Sequence, residues 1–377
     1  MKIQRIAVWQ FSRKLDGKAW NPAFRWTERR APLLMIELDD GIVGLGEAWS
    51  GYYGVDGILQ TLSDEIAPAL LGCEVNSPRE IAPLICRLQT ELRTRERSAA
   101  WSAVDIALWD AFGQLHQQPL WQLLGGTRAS APVYASGGLY RDDYSLSDLR
   151  DEARSYIDQG FTGMKMKIAG EGRALDLERV AAVREGLGES SMLWVDAVNQ
   201  LTLSSAQDLW KRLAAFEVSA MQSPLPAHYL EAMAELNQSG VKVIASEAEF
   251  QPAIFSELLN TNAVSYLQFC LPLIGGISGA LELDALAADK GIRTTPQCFS
   301  TAVVQAATLH FSAASSNVVS AEYHCYHDHL KELYLGELGS VSQGMAHLSN
   351  APGLGLALPK LGKQPDGSDI TLMSEVF

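Results

Sequence analysis

Lys165 and Lys167 lie two residues apart in "GFTGMKMKIAG", an apolar run that otherwise reads as a buried strand. Successive strand side chains point to opposite faces, so both ammonium groups share one side, and the methionines and Ile168 share the other. Charged pairs are rarely tolerated in such a strand without partners. Candidate partners close later apolar runs. Asp196 lies in "MLWVDA", Gln222 ends "VSAMQ" and Glu247 follows "VKVIAS"; Cys270 follows "VSYLQF", Gln297 ends "IRTTPQ" and Glu322 ends "NVVSAE". The oxygens of Asp196, Gln222 and Glu247 form the hard donor set that Mg²⁺ prefers. A lysine held beside a divalent cation loses its proton more easily, because like charge disfavours the protonated form. The implied chemistry is proton abstraction by a lysine base next to a cation. The blander alternative is a pair of lysines snorkelling from a strand edge.

The elements that must position these residues begin near residue 131. Eight short apolar runs, "PVYAS", "GMKMKI", "MLWVDA", "VSAMQ", "VKVIAS", "VSYLQF", "IRTTPQ" and "NVVSAE", alternate with polar turns and amphipathic helices about every 25 to 30 residues. Strands alternating with helices imply a parallel sheet. Eight units within about 200 residues suit a (β/α)8 TIM-type barrel, and no glycine fingerprint of a doubly wound sheet follows the first strand. In a barrel the active site sits at the C-terminal strand ends. Read in order, these ends carry Lys165 and Lys167 (second strand), Asp196 (third), Gln222 (fourth), Glu247 (fifth), Cys270 (sixth), Gln297 (seventh) and Glu322 (eighth).

Upstream, residues 1–11 and 31–48 read as strands, with Asp40-Gly41 as a hairpin turn. The polar, basic and aromatic stretch 12–30 reads as a mobile loop, and "SGYYGVDG" at 50–57 as a second, glycine-rich one. Helical periodicity then runs to about residue 118, most clearly in "SAAWSAVDIALWDAFGQLH", with Ser98 as candidate N-cap. The tail 331–377 is long enough to return to the N-terminal part. The expected division is an α+β capping domain over 1–125, a barrel over 126–330 and a returning segment over 331–377.

A net charge of −14 and a pI near 5.0 argue against nucleic acid and anionic membrane surfaces as partners. A local cation still allows an acidic protein to bind an anionic substrate. Cys73, Cys86, Cys270, Cys298 and Cys325 are scattered without CxxC spacing, which fits a reducing compartment. The N-terminus lacks the apolar core of a signal peptide, and no apolar run is long enough to span a membrane. The expected setting is the cytoplasm, and the expected partners are a small-molecule carboxylate and further copies of the chain.

Further stretches carry a resemblance. They are "SAVDIALWDAFGQLHQQPLWQLLGG" before the barrel, Lys-x-Lys on the second strand, Asp196 after "MLWV", "QSPLP" after the fourth strand, Glu247 in "VIASE", "LIGGIS" after the sixth and "APGLGL" at 351–356. In this order and spacing the chain resembles the enolase superfamily, specifically its mandelate racemase/muconate lactonizing enzyme subgroup, over essentially its whole length. The resemblance implies a modified barrel closed by an α+β cap built from both termini. It also implies Mg²⁺ holding a substrate carboxylate while a base removes the α-proton. By position Lys167 resembles the family's base, Lys165 the lysine assisting at the carboxylate, and Glu322 the acid or hydrogen-bond donor facing the enolate. The loops at 12–30 and 50–57 match the family's specificity loops.

The chain departs from that pattern at four places. Gln222 stands where the family has a second glutamate ligand, and Val198 where it has the asparagine of Asp-x-Asn. Cys270 and Gln297 replace an Asp–His pair on the sixth and seventh strands, so that side of the barrel is expected to position substrate hydroxyls and to move no proton. Glu249 is a candidate to share the face of Glu247. In "EYHCYHDHL", His324 is a candidate substrate contact, while His327 and His329 read as residues of a solvated turn and helix start. With a base on one face only, elimination or ring opening and closure is more natural than racemisation. The expected function is Mg²⁺-assisted α-proton abstraction from a small hydroxy-acid, as an acid-sugar dehydratase or cycloisomerase. The alternative is a divergent relative that binds a carboxylate without turnover.

Overall fold

The computed structural model describes residues 1–51, 54–88 and 94–377; Tyr52 and Tyr53, within the glycine-rich stretch 50–57, lie outside the described residues. The N-terminal strands are β1 (Ile3–Lys14), β2 (Ala19–Asn21), β3 (Phe24–Arg25), β4 (Glu28–Leu38) and β5 (Val43–Glu47). β1 and β4 pair antiparallel with Val8 opposite Leu34, and β4 turns into β5 at Gly41, whose φ is 84°. The helix Arg95–Leu115 lies directly on β5. Gly44 and Gly46 permit this, since a Cβ there would come within 2.0 Å of the Ala107 and Ala103 carbonyl oxygens. That helix is capped by Thr94, whose side chain accepts from the Arg97 N–H. Ser98, the expected cap, lies one turn inside and donates instead to the Leu273 carbonyl at 2.7 Å.

Eight parallel strands form the barrel: β6 (Ser130–Ser136), then, after the rim strand β7 (Tyr140–Arg141), β8 (Gly163–Lys167), β9 (Met192–Asp196), β10 (Ala220–Gln222), β11 (Val243–Ala245), β12 (Tyr266–Leu267), β13 (Arg293–Thr294) and, past the short β14 (Ser300–Thr301), β15 (Ala321–His324). Each of the eight apolar runs read from the sequence overlaps one of them. Consecutive strands pair from β6 to β13, and β15 pairs with β6. Between β13 and β15 the contact is a parallel bridge, Thr294 to Val318, with a Glu322 N–H to Pro296 carbonyl bond of 2.9 Å. Tyr134, Trp194, Ala220 and Ile244 form an apolar layer. Two residues further along their strands, on the same face by the period-two rule, come Ser136, Asp196 and Gln222. An apolar floor thus lies directly beneath a polar layer.

The remaining strands are β16 (Asp328–His329), β17 (Val341–Ser342), β18 (Met345–His347), β19 (Gly362–Lys363) and β20 (Asp369–Val376). β18 seals the start of β6, and β20 inserts between β19 and β1 to give the order β19-β20-β1-β4-β5. The stretch 12–30, expected to be mobile, contains the β2–β3 hairpin, paired to β7 and closed by Asn21 accepting the N–H groups of Ala23 and Phe24. Its order comes from a distant partner and from Trp26, which is buried with Ala19 and Leu139 against Phe299 and Tyr326. Among the described residues no helix is long and apolar enough to cross a membrane.

Candidate active site

Both lysines of β8 point into the barrel, and register sets Lys167 beside Asp196. Lys165 Nζ lies 3.1 Å from Asp196 Oδ2 and 3.0 Å from Glu322 Oε1, and Lys167 donates to the same Asp196 oxygen. All four side chains are buried. Two ammonium groups therefore face two carboxylates, the arrangement that makes buried charge tolerable. The lysines differ in titration. Burial alone would lower Lys165, but Glu322 and Asp196 outweigh it and hold its pKa well above the ordinary value. Burial, helped by the Lys165 charge, leaves Lys167 below its ordinary value in spite of Asp196. The two lysines hold Asp196 below the usual carboxylate range against its burial.

Gln222 stands next to Asp196 across β9 and β10. Its side-chain oxygen and nitrogen are both buried with no hydrogen-bond partner, an uncommon state for an amide. Glu247 follows β11 and accepts from Ser223 Oγ at 2.5 Å. Burial, then repulsion from Asp196, raises the Glu247 pKa. The donor set fits Mg²⁺: hard oxygens from three successive strands, one of them unsatisfied. Among the described residues there is no group of three or more His, Cys, Asp or Glu side chains arranged to hold a metal; a cation held by Asp196 and Glu247 would take a further side-chain oxygen from Gln222. Gln222→Glu should tighten Mg²⁺ binding by at least about tenfold, as an added charge a few ångströms from a dication outweighs its desolvation. Weaker binding in calorimetry would show that the ligand set is wrong. Glu249 does not join this face: its carboxylate accepts the N–H groups of Phe250 and Gln251.

Across the barrel, Cys270 and Gln297 are bridge partners. Burial, then the charges of Glu322, Glu47 and Glu247, pushes the Cys270 thiol well above its ordinary pKa. The Gln297 side-chain oxygen is buried and unpartnered. The second oxygen of Glu322 accepts the Cys298 N–H at 3.2 Å, which fixes this carboxylate between Lys165 and the β13–β14 turn. His324 ends β15 and is buried, as are His327 and His329. The solvated-turn expectation for the last two is corrected: β16 pairs with β14, Trp26 packs on His327, and Phe11 and Arg13 of β1 meet His329. Arg29 also acts on this region and was missed from sequence, because its place depends on how the stretch 12–30 folds.

The departure at Val198 has a backbone cost. Val198 and Asn199 have φ values of 50° and 61°, and a β-branched residue is poorly suited to the left-handed region. The Val198 N–H donates to Asp196 Oδ1 at 3.0 Å, so the strain orients a site carboxylate. Val198→Asn should stabilise the fold by about 1 kcal/mol, because asparagine tolerates that conformation. A lower urea midpoint would show that burial of the isopropyl group matters more.

The fold and the paired lysines and carboxylates define a capped (β/α)8-barrel enzyme. The chain belongs to the enolase superfamily: residues 148–360 match the enolase C-terminal domain-like family, and residues 22–125 match the mandelate racemase / muconate lactonizing enzyme N-terminal domain. It is 30% identical over 329 residues to arabinonate dehydratase of Saccharolobus solfataricus, covering 86% of this chain and 87% of that protein. It is 30% identical over 374 residues to D-galactarolactone cycloisomerase of Agrobacterium fabrum, covering 95% and 97%. Among solved structures, a magnesium-bound racemase from Streptomyces coelicolor superposes with a TM-score of 0.84 at 26% identity, covering 94% of this chain and 97% of that one.

Proposed function

We propose that this protein is an acid-sugar dehydratase or cycloisomerase that removes the α-proton of a small hydroxy-acid with Lys167. The observation that carries the reading is the inward Lys165–Lys167 pair, joined through Asp196 to an unpartnered Gln222. Asp196, Gln222 and Glu247 would hold Mg²⁺, which supplies Lewis-acid stabilisation of charge developing on the substrate carboxylate. Lys165, kept protonated by Glu322 and Asp196, donates hydrogen bonds to that carboxylate and stabilises the same charge. Lys167 is the more readily deprotonated of the two and accepts the α-proton. Glu322, ionised in its pair with Lys165, holds that lysine in place, and the proton that Lys167 has accepted is the one available on this side to the departing oxygen. Cys270 and Gln297 orient hydroxyl groups; with a raised thiol pKa and an amide, they offer no second base.

The dehydratase and cycloisomerase named above support this choice over racemisation, as does the one-sided base. Residues 1–125 and 331–377 act in this reading as the cap over the barrel at 126–330. The free cysteines support a cytoplasmic setting, and exposed Leu372, Met373 and Phe377 support a homo-oligomer. The test is a panel of sugar acids incubated with Mg²⁺ in D₂O. Product should carry label delivered to one face only. Racemisation of any 2-hydroxy acid, or equal labelling of both stereoisomers, would reveal a second base and overturn the assignment of Cys270 and Gln297.

A further inference from the structure

Beneath Trp26 the rings of three histidines form a continuous group. His324 and His327 have centroids 4.9 Å apart, and His327 and His329 lie 5.9 Å apart. Phe299 packs against the first two at 5.2 and 4.9 Å, and Trp26 meets His327 at 4.8 Å. Hydrogen bonding fixes two of the tautomers. The backbone N–H groups of Tyr326 and His327 donate to His324 Nδ1 at 3.3 and 3.0 Å, so that ring carries its proton on Nε2. Arg13 Nη1, which only donates, lies 3.0 Å from His329 Nδ1, so this ring too is protonated on Nε2. His329 Nε2 and both nitrogens of His327 are buried with no hydrogen-bond partner. Burial, reinforced by nearby cations that include Arg29, keeps all three imidazoles neutral. The Arg29 guanidinium lies over the Phe299 ring, 4.1 Å from its centroid. Lys165 and Lys167 act electrostatically on His324, which ties this compartment to the candidate active site.

The compartment thus holds unpartnered N–H groups on His327 and His329 beside the Arg29 guanidinium, while the charge of Arg13 is met by Asp366. A substrate hydroxyl could accept one of these N–H groups and donate to the other nitrogen of His327, but it brings no charge to meet the guanidinium. A carboxylate or phosphate brings only acceptors and the complementary charge, beside aromatic rings that keep water from the buried histidines. We propose that this histidine group holds a second oxyanion, at the end of the substrate remote from the lysines, so that the substrate is a dianion. This rests on the proposed function for the position of the first carboxylate, and adds what the far end carries.

Calorimetry on the full chain with Mg²⁺ present tests it with two matched pairs of probes. Galactarate differs from galactonate by a terminal carboxylate, and phosphogluconate from gluconate by a terminal phosphate. At least one dianion should bind about tenfold or more tightly than its partner, as expected for charge-assisted hydrogen bonds in a shielded site. The pair showing the larger ratio tells carboxylate from phosphate. His327→Phe keeps the ring packing and removes both nitrogens; it should bring the ratio close to one while affinity for the mono-acid holds. Should that variant fail to fold, His329→Phe, which retains contact with Phe11, serves the same comparison. Equal affinity within both pairs, or a ratio that survives the substitution, overturns the proposal. The readout is binding, so it fails separately from the proposed reaction. Dianion preference without proton exchange would retire the reaction alone, and turnover of a mono-acid without dianion preference would retire this inference alone.

Discussion

Replacement of Lys167 by methionine is expected to remove exchange of the substrate α-proton with deuterated solvent while leaving acid binding in place. Loss of a positioned general base lowers rate by roughly 10²–10⁴-fold or more. Methionine keeps most of the side chain's bulk inside the barrel. Asp196 retains its 3.1 Å contact with Lys165, so the substitution leaves no buried carboxylate alone. Lys165 cannot take over the role, because Glu322 and Asp196 hold its proton firmly. Lys165→Met would be a poorer test, since it strips Glu322 of its ion pair and mixes stability with chemistry. The measurement is the NMR loss of the α-proton signal in D₂O, with calorimetry on the same sample for binding. Undiminished exchange would move the base elsewhere, though not to His324, whose Nδ1 lone pair already accepts two backbone N–H groups.

Asp110→Ala is expected to cost about 4 kcal/mol of stability although the residue is far from the lysines in sequence and carries no proposed chemistry. Asp110 Oδ2 accepts the Leu45 N–H at 2.9 Å, and Oδ1 accepts the Leu354 N–H at 2.7 Å. Leu45 belongs to β5, the edge strand of the cap sheet, and the helix carrying Asp110 covers that edge. Leu354 belongs to "APGLGL", so a single carboxylate joins helix, sheet and tail. Substitution orphans two buried N–H groups, each worth roughly 1–3 kcal/mol, and opens a small cavity. Burial pushes this carboxyl up to about 6, against the pull of its N–H donors. A urea midpoint within about 0.5 kcal/mol of the parent, the range of an ordinary surface change, would show that the cap is anchored elsewhere.

The barrel was legible because a parallel strand buried on both faces reads as an uninterrupted apolar run, as in "MLWV" or "VIA". Lys165, Lys167, Asp196 and Glu322 stood out because a charge ending such a run demands a partner. Residues whose environment is set by distant chain were misread. His327 and His329 look like surface histidines until Trp26 and the β1 residues Phe11 and Arg13, some 300 residues earlier, cover them. Ser98 has the composition of a cap, but its hydroxyl is drawn to Leu273 across the cap–barrel contact. Glu249 lies two residues past Glu247, yet the strand ends at Ala245 and the intervening turn redirects it. The motifs that carried the resemblance are largely structural. Asp105 accepts from the Ser278 N–H in "LIGGIS", and Gly353 in "APGLGL" receives the Leu120 N–H on its carbonyl.

The placement of β20 also sets the order in which the molecule is completed. Arg5 and Glu375 form an ion pair across 370 residues of sequence, on strands that lie side by side. During synthesis β1 is made long before β20 and keeps one hydrogen-bonding edge open until β20 has left the ribosome. The barrel, whose neighbouring strands are close in sequence, is free to assemble during that interval, and the cap sheet closes last. A nascent chain stalled shortly before residue 369 would therefore hold a formed barrel beneath an unfinished sheet, with β1 open to pairing with a second nascent chain.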